Sequence, residues 1–413
     1  MTSKKPRPSP PKAATLEEAN GIIQALWDRL NDFEDRLKQN SRNSSRPPSS
    51  DGFSDPEPTR KPSGKARGAQ PGHKGSKRRL VTEVDSTEQH FPAAHCQCGG
   101  EVIASSSPYR RHQIFDIPAQ AYSVDEHQLY RGTCEQCGDK HQAQLPETLT
   151  SGQMGPNVLA FVAVQAGQFH QSITKIQQQL EQNFGLRFSR GAISEAQCRV
   201  SAMLTPAYHA IKQEILTAPI VHADETSYKR GDENRWLWQI CTDKLSCFMA
   251  HHSRGQVAAK KLLGENAEYV VVTDQYAGYH YIDQEKRQLC WAHILRNVSA
   301  LAQSWGTNIA IGKRLETIVN ILFRTRHRFE NGDITEPIYQ RRMLRLQRSW
   351  HENLAEGSRL CVTPRYRNRC ALLLKDDVMC WTFLTNQLIP LTNNKAQRSL
   401  RSYVLWRKGS YGA

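Results

Sequence analysis

The first regular pattern along the chain is an apolar stripe at helical spacing in residues 15–39, with charged residues between its members. It predicts an amphipathic helix within residues 1–40, whose apolar members are Leu16, Ile22, Ile23, Leu26, Leu30, Phe33 and Leu37. The spacing approaches a heptad repeat over about three heptads, as in a short coiled coil that dimerises a protein. A helix packed against its own chain is the alternative interpretation.

The pattern stops at Asn40, and residues 41–89 are predicted to form a disordered basic linker. Its first part is rich in Ser, Pro, Gly, Arg and Lys, a composition that cannot supply a packed core. Between Arg60 and Arg79 there are eight basic residues and no acidic one, which favours contact with phosphates over a plain solvated spacer. The candidate DNA-binding residues of this segment are Lys74, Arg78 and Arg79.

Helical spacing returns in residues 151–215, with helices predicted over 172–184 and 190–202 and a break between them. This arrangement suits a helix-turn-helix, whose second helix enters the major groove of DNA. Arg190, at the start of that helix, is then a candidate DNA contact. Short helix pairs also occur in α-rich domains that bind no DNA, so both interpretations stay open.

From residue 216 onwards the pattern changes to strands and then returns to helix. Residues 219–223 and 246–250 are short β runs, 235–240 alternates with period two, and 269–273 is a continuous apolar run typical of a strand buried on both faces. A basic helical insertion is predicted at about 295–385. This order indicates an α/β layered domain over residues 216–413.

Composition and charge narrow the class of protein. The 413 residues suggest two or three domains, and 55 Lys and Arg against 40 Asp and Glu give a net charge of +15, which favours nucleic acid as the partner. No apolar run is long enough to cross a membrane, and the basic, Pro-rich N-terminus lacks the apolar core of a secretory signal. The expected location is the cytoplasm, without a membrane partner.

Eleven cysteines cannot all be paired within one chain, and a reducing compartment is expected. Four single cysteines in apolar stretches are predicted to lie in the core: Cys198, Cys241, Cys361 and Cys380. Two close pairs lie in residues 90–150, each followed by glycine, and predict a small module with a structural Zn²⁺. The predicted ligands are Cys96, Cys98, Cys134 and Cys137, with His95 as the alternative to Cys96.

Two aspartates follow predicted strands in the α/β domain. Asp224 comes directly after the run 219–223, and Asp274 directly after the run 269–273. If the strands are neighbours, both carboxylates converge on one point and suit Mg²⁺ in phosphoryl transfer. Aspartates also end strands as ordinary turn residues, and spacing alone does not exclude that reading.

Several short motifs occur together in a fixed order. The chain resembles transposases of the insertion sequence 66 family through Asn43-Ser44-Ser45-Arg46-Pro47-Pro48-Ser49-Ser50-Asp51, Gln70-Pro71-Gly72-His73-Lys74-Gly75, the paired cysteines, Asp116-Ile117-Pro118, Asp224-Glu225-Thr226, Cys290-Trp291-Ala292-His293 and Asn393-Asn394-Lys395-Ala396-Gln397-Arg398-Ser399-Leu400-Arg401. Each motif alone is unspecific, whereas their joint order is highly specific.

The resemblance implies a multidomain transposase: an N-terminal helix, a disordered basic arm, a zinc module, a helical DNA-binding region and an RNase H-like catalytic domain with a helical insertion. It implies three acidic residues holding two Mg²⁺ or Mn²⁺, cleavage of double-stranded DNA at terminal inverted repeats, strand transfer to target DNA, and a homo-oligomeric active complex. Asp224 and Asp274 match the first two acids. Cys290 and His293 match a Cys-x-x-His signature that follows the second acid, where a structural helix contact is preferred for His293 over direct chemistry.

The sequence departs from the family at the third acid, where Gln397 stands in place of glutamate. Asn394 can still cap the helix, and Arg398 and Arg401 remain as candidate DNA contacts, but one metal-binding carboxylate is missing. The chain also stops at Ala413, shortly after the last motif, which suggests a truncated copy. Two hypotheses follow: an active transposase, or a non-catalytic DNA-binding remnant or regulator of transposition.

Overall fold

A computed structural model describes residues 12–40, 43–44, 80–84, 86–95, 97–108, 110–114, 122–133, 135–137, 139–146 and 152–409. The chain forms two compact units, one built from residues 1–55 and 199–413 and the other from residues 56–198. No helix among the described residues is long and apolar enough to cross a membrane.

The predicted N-terminal helix is confirmed as α1 (Leu16–Leu37). Thr15 caps it, because its hydroxyl accepts a hydrogen bond from the backbone N–H of Glu18 at 3.1 Å. Asp35 is its one buried residue among those described, and the Ser304 hydroxyl donates a hydrogen bond to the Asp35 carboxylate. The side chain of Asn43 donates to Gln303 Oε1 at 2.8 Å. Polar contacts, rather than the apolar stripe, therefore attach this helix to its own unit.

The unit of residues 56–198 contains a two-stranded antiparallel ribbon and a group of helices. The ribbon pairs β1 (Arg131–Thr133) with β2 (Lys140–Gln142). The helices are α2 (Pro156–Gly167), α3 (Ile173–Phe184) and α4 (Arg190–Met203), whose last residues extend beyond the unit. The predicted helix pair is thus confirmed, and Gly185, at φ +70°, ends α3 in the left-handed conformation that glycine tolerates best.

The larger unit is built on a five-stranded mixed sheet. After α5 (Thr205–Thr217), the chain forms β3 (Ile220–Arg230), β4 (Glu233–Cys241), β5 (Ser246–His251), α6 (Gln256–Leu263), β6 (Val270–Thr273) and β7 (Arg287–Leu289). The strand order is β5-β4-β3-β6-β7, with β3, β4 and β5 antiparallel and β3, β6 and β7 parallel. This mixed sheet with flanking helices confirms the α/β class.

The first strand is longer than the sequence predicts. The apolar run ends at Ala223, but β3 continues to Arg230, and each of the residues from His222 to Arg230 pairs with β4. Residues 224–230 have no apolar pattern from which a strand could be predicted. Backbone pairing in the hairpin, rather than side-chain burial, extends the strand through them.

Helices cover both faces of the sheet. One face packs on α5 and α6 through a core that includes Val221, Ala223, Trp238 and Val271. The other core lies in the predicted helical insertion and its neighbours: α7 (Trp291–Ala302), α8 (Thr307–Glu330), α9 (Glu336–Leu360), α10 (Pro364–Lys375) and α11 (Asp377–Trp381). The last helix, α12 (Asn394–Gly409), packs on β3 and β4.

Three of the four single cysteines predicted for the core, Cys241, Cys361 and Cys380, are buried. The prediction is wrong for Cys198, which is exposed. It lies in α4, where Ile193 and Ala196 are the buried residues, so the neighbouring apolar positions do not share its helical face.

Close packing between α7 and α8 depends on Gly312. A Cβ atom added at Gly312 would lie 2.5 Å from Ala302 Cα, in the backbone of the preceding helix. We therefore expect Gly312→Ala to lower the free energy of unfolding by about 1–3 kcal/mol, measured by chemical denaturation of the full chain. Gly21→Ala is the matched control, a helical glycine with open space around it. Equal stabilities of the two variants would contradict this packing.

Candidate active site

The parallel pairing of β3 with β6 brings Asp224 and Asp274 together. His222 lies opposite Val272 in this register, and each aspartate comes two residues later on its own chain segment. Two residues along a strand return the side chain to the same face, so both carboxylates emerge at the same edge and face of the sheet. The convergence that the spacing predicted is thereby present in the fold.

Backbone groups orient both carboxylates. Asp224 Oδ1 accepts a hydrogen bond from the N–H of Glu225 at 3.0 Å, and Asp274 Oδ1 accepts one from the N–H of Tyr276 at 2.9 Å. Burial, followed by repulsion from Glu225 and Asp274, raises the pKa of Asp224 well above its ordinary value. The site therefore concentrates negative charge where water is scarce, an arrangement that a cation would stabilise.

Glu225 lies on the opposite face of β3 and is the centre of a second polar network. Its Oε1 accepts from Arg254 Nε at 3.1 Å and Nη2 at 2.9 Å, and its Oε2 accepts from the Tyr279 hydroxyl at 2.7 Å. The Arg254 guanidinium lies 3.9 Å from the ring centre of Tyr276 and 4.8 Å from that of Trp236. Arg254 therefore links the Asp-Glu-Thr motif to the turn that follows Asp274.

Arg287 fixes that turn from inside the sheet. It is fully buried in β7, and its Nε donates to Thr273 Oγ1 at 2.9 Å. Its Nη2 donates to the backbone oxygens of Asp274 and Tyr276 at 2.9 and 3.1 Å. Arg254 and Arg287 could not be predicted from the sequence, because neither lies in a motif and only the tertiary fold brings them to the aspartates.

Asn393 ties the last motif to the sheet. Its backbone N–H donates to Cys290 Sγ at 3.1 Å, and its side-chain Nδ2 donates to the backbone oxygen of Ala223 at 2.7 Å. Its Oδ1 lies 3.0 Å from His222 Nδ1, so that nitrogen is the donor. Burial lowers the pKa of His222 to about 4, consistent with a neutral ring in this contact.

Gln397 contacts the Cys-x-x-His motif. Its Nε2 lies 3.1 Å from His293 Nε2, so the amide donates to an unprotonated ring nitrogen. Burial lowers the pKa of His293, and the charge of Asp274 opposes that shift. Through His293, position 397 is thus connected electrostatically to the carboxylate site.

The other predicted site residues are distributed as follows. Lys74, Arg78, Arg79, Cys96 and Cys134 lie outside the described residues. Cys98 and Cys137 are free and exposed, and His95 forms an isolated antiparallel bridge with Glu101. Arg190, Arg398 and Arg401 are exposed, the last two on α12. In the part of the chain that the structure describes, no group of three or more His, Cys, Asp or Glu side chains is arranged to hold a metal ion.

The donor set at the aspartates fits one Mg²⁺ better than two. Mg²⁺ is commonly held by one or two carboxylates together with water and substrate phosphates, and Asp224 and Asp274 supply two. The resemblance implies a third acid for a second ion, and at that position Gln397 presents a neutral amide that faces His293.

Comparison with known families shows which family the chain belongs to. The family model described as "Transposase IS66 family" matches residues 151–413, and the chain belongs to that family. A second model, a family of unknown function (DUF6444), matches residues 8–79. None of the curated proteins matches the chain. Membership of a transposase family implies a function in transposition and DNA as the partner.

The buried contacts of Asn393 generate a stability prediction. Asn393→Ala removes two side-chain hydrogen bonds and leaves His222 Nδ1 and the Ala223 oxygen buried without these partners. We expect a loss of about 2–4 kcal/mol in the free energy of unfolding, measured by chemical denaturation. Asn386→Ala is the control, since Asn386 is exposed and its side chain accepts a local hydrogen bond from the Leu388 N–H. A loss no larger than that of the control would refute the role of Asn393.

Proposed function

We propose that this protein binds the terminal inverted repeats of a bacterial insertion element and catalyses DNA cleavage and strand transfer to a target, using an RNase H-like unit. The observation that carries the proposal is a pair of aspartates, Asp224 and Asp274, each two residues after the paired His222 of β3 and Val272 of β6. The strand order, in which three antiparallel strands are followed by two strands parallel to the first, supports the RNase H-like assignment. Membership of the family supports the reaction.

In this proposal Asp224 and Asp274 would be the residues that hold Mg²⁺ or Mn²⁺. When bound, the metal would neutralise phosphate charge and make a bound water or hydroxyl more nucleophilic. The backbone N–H groups of Glu225 and Tyr276 orient the two carboxylates through hydrogen bonds. Arg287 holds the turn at Asp274 by donating a hydrogen bond to its backbone oxygen. Arg254, whose side chain is 41% exposed, is available to contact a DNA phosphate near the carboxylates.

Basic side chains supply the remaining DNA contacts in this proposal. Arg398 and Arg401 are exposed one turn apart on α12, directly after the residue at the third acidic position. Arg190 begins α4, where a helix-turn-helix would place the start of its recognition helix. Lys74, Arg78 and Arg79 belong to the basic segment that precedes the zinc module. Contacts of this kind neutralise phosphates and make binding strongly dependent on salt.

The contact between Gln397 and His293 favours a second candidate function, a non-catalytic DNA-binding regulator of transposition. A neutral amide replaces the third carboxylate and donates its hydrogen bond to the histidine instead of offering charge to a metal. Such a protein would occupy element ends without cutting them. The two candidate functions differ in cleavage and agree in DNA binding.

Gln397→Glu tests which function applies. If the missing carboxylate limits the parent, the variant should raise nicking of a DNA carrying the element ends by about 10²–10⁴-fold in Mg²⁺ or Mn²⁺. Gln284→Glu adds the same charge at an exposed position outside the site and should change nothing. Asp224→Ala in the Gln397→Glu background should abolish cleavage and preserve binding. Robust nicking by the parent would exclude the regulator, and continued nicking after Asp224→Ala would exclude the proposed site.

We further propose that residues 90–150 bind one structural Zn²⁺ through Cys98, Cys134, Cys137 and either Cys96 or His95. Four such ligands match the tetrahedral preference of zinc, and Cys98 and Cys137 are unpaired thiols.

Metal analysis of the purified full chain tests the zinc site. We expect about one Zn²⁺ per chain by mass spectrometry of the metals, and loss of that zinc in Cys98→Ala and in Cys137→Ala. Cys198→Ala, which removes another exposed thiol, should retain it. Cys96→Ala and His95→Ala then identify the fourth ligand. A parent without zinc, or zinc retained in both cysteine variants, would contradict the site.

A further inference from the structure

Gln239 is a buried glutamine whose side-chain amide has no hydrogen-bond partner among the residues that the structure describes. It lies in β4, is 0% exposed, and forms no hydrogen bond through either Nε2 or Oε1. The other residues of β4 between Leu237 and Cys241 are apolar and buried. An amide buried without a partner destabilises a fold, and an apolar residue of similar size would not. Packing alone therefore does not explain a glutamine at this position.

The strand register places Gln239 beside Asp224. The two residues pair directly across the antiparallel β3–β4 hairpin. Directly paired residues have their side chains on the same face of the sheet, with Cβ atoms about 4.5–5.5 Å apart. Because β3 lies between β4 and β6, the row that starts at Gln239 continues through Asp224 to Asp274. The amide is thus next to Asp224, on the side away from Asp274.

Asp224 is the only strong hydrogen-bonding side chain among the nearest sheet neighbours of Gln239. On the other side of β4, Gln239 pairs with Phe248 of β5. The next residues on the same face of β4 are Leu237 and Cys241, of which one is apolar and the other a weak hydrogen-bonding group. The sheet therefore directs the free amide towards one partner, the Asp224 carboxylate.

Helix α12 covers this face of the sheet without offering the amide a partner. Its Arg407 Nη1 donates to Thr226 Oγ1 at 3.1 Å, and Thr226 lies two residues after Asp224 on the same face of β3. The buried residues of α12 with described side chains are Ala396 and Leu400, both apolar. A hydrogen bond made under this cover would be shielded from competing water.

The Asp224 carboxylate has room for another donor. Its one hydrogen bond in the described structure comes from the Glu225 N–H to Oδ1, whereas an ionised carboxylate can accept about four. Since the two Cβ atoms are only one pair spacing apart, rotation of the Gln239 side chain about its own bonds brings Nε2 within hydrogen-bond distance of this carboxylate. A donor on that side would fix the orientation of the carboxylate towards Asp274.

We propose that Gln239 is a positioning residue: its Nε2 donates a hydrogen bond to the Asp224 carboxylate and holds it in the orientation that binds a divalent cation. Gln239 acts through Asp224 and contacts neither the cation nor DNA. This inference rests on the metal-binding role proposed for Asp224. Loss of a hydrogen bond that orients a metal ligand typically lowers metal affinity about 10–100-fold.

Mn²⁺ binding to the full chain tests this role without a cleavage assay. Electron paramagnetic resonance measures the free Mn²⁺, and the site is the Mn²⁺ that the parent binds and Asp224→Ala does not. Gln239→Met keeps the length of the side chain, removes its polar groups, and should lower the affinity of this site about 10–100-fold. Leu237→Met changes a buried side chain on the same face of β4 and should leave the affinity unchanged. Gln239→Leu is a second apolar variant and should behave like Gln239→Met.

Urea denaturation of the same variants separates positioning from a merely structural role. A positioning residue loses affinity for Mn²⁺ in variants that unfold at the urea concentration of the parent or above it. Unchanged affinity in Gln239→Met and Gln239→Leu, or an equal loss in Leu237→Met, would overturn the inference and leave the proposed function standing. Mn²⁺ binding that is the same in the parent and in Asp224→Ala would instead refute the proposed metal site, and this inference with it.

Discussion

Burial of neighbouring carboxylates is the constraint to which the rest of the site responds. Asp224 and Glu225 are consecutive, and Asp274 is close enough to repel both. Charges of one sign in a poorly hydrated region must be compensated or neutralised. Glu225 is compensated within the protein by Arg254 and Tyr279, whereas Asp224 accepts only a backbone N–H among its hydrogen bonds in the described structure. The two faces of β3 are therefore unequal, and a cation would offset the charge on the face that carries Asp224.

Hydrogen bonds of one buried residue, Asn393, determine where the last helix begins. The backbone N–H of Asn393 donates to Cys290, and its side chain contacts Ala223 and His222, so one buried residue connects the strand before Asp224 with the start of α7. Cys290 in turn donates its N–H to the oxygen of Thr273, beside Asp274. Helix α12 begins at the next residue and carries position 397 towards His293. The Cys-x-x-His and Asn-Asn motifs thus contact each other and together position residue 397.

The sequence predicted the elements whose pattern is local and missed those that depend on tertiary contacts. Helix α1, the α3–α4 pair and the two strands leading to the aspartates follow from periodicity and were confirmed. The extension of β3 to Arg230 was missed because hairpin pairing, not an apolar pattern, supports it. Arg254 and Arg287 were missed because buried arginines have no periodic signal and their partners lie far along the chain.

Position 397 can affect the charge of the site without changing the fold around it. Gln and Glu have nearly the same shape, so the helix start, the contact with His293 and the frame around Asn393 can all persist with either residue. The two residues differ in the direction of the hydrogen bond with His293. An amide can donate to His293 Nε2, whereas a carboxylate can only accept from it, and then that nitrogen must carry the proton. The substitution therefore changes the protonated nitrogen of His293 as well as the charge offered to a metal. A glutamine at position 397 can therefore preserve the fold around Asn393 and His293 while it lacks the negative charge of a carboxylate.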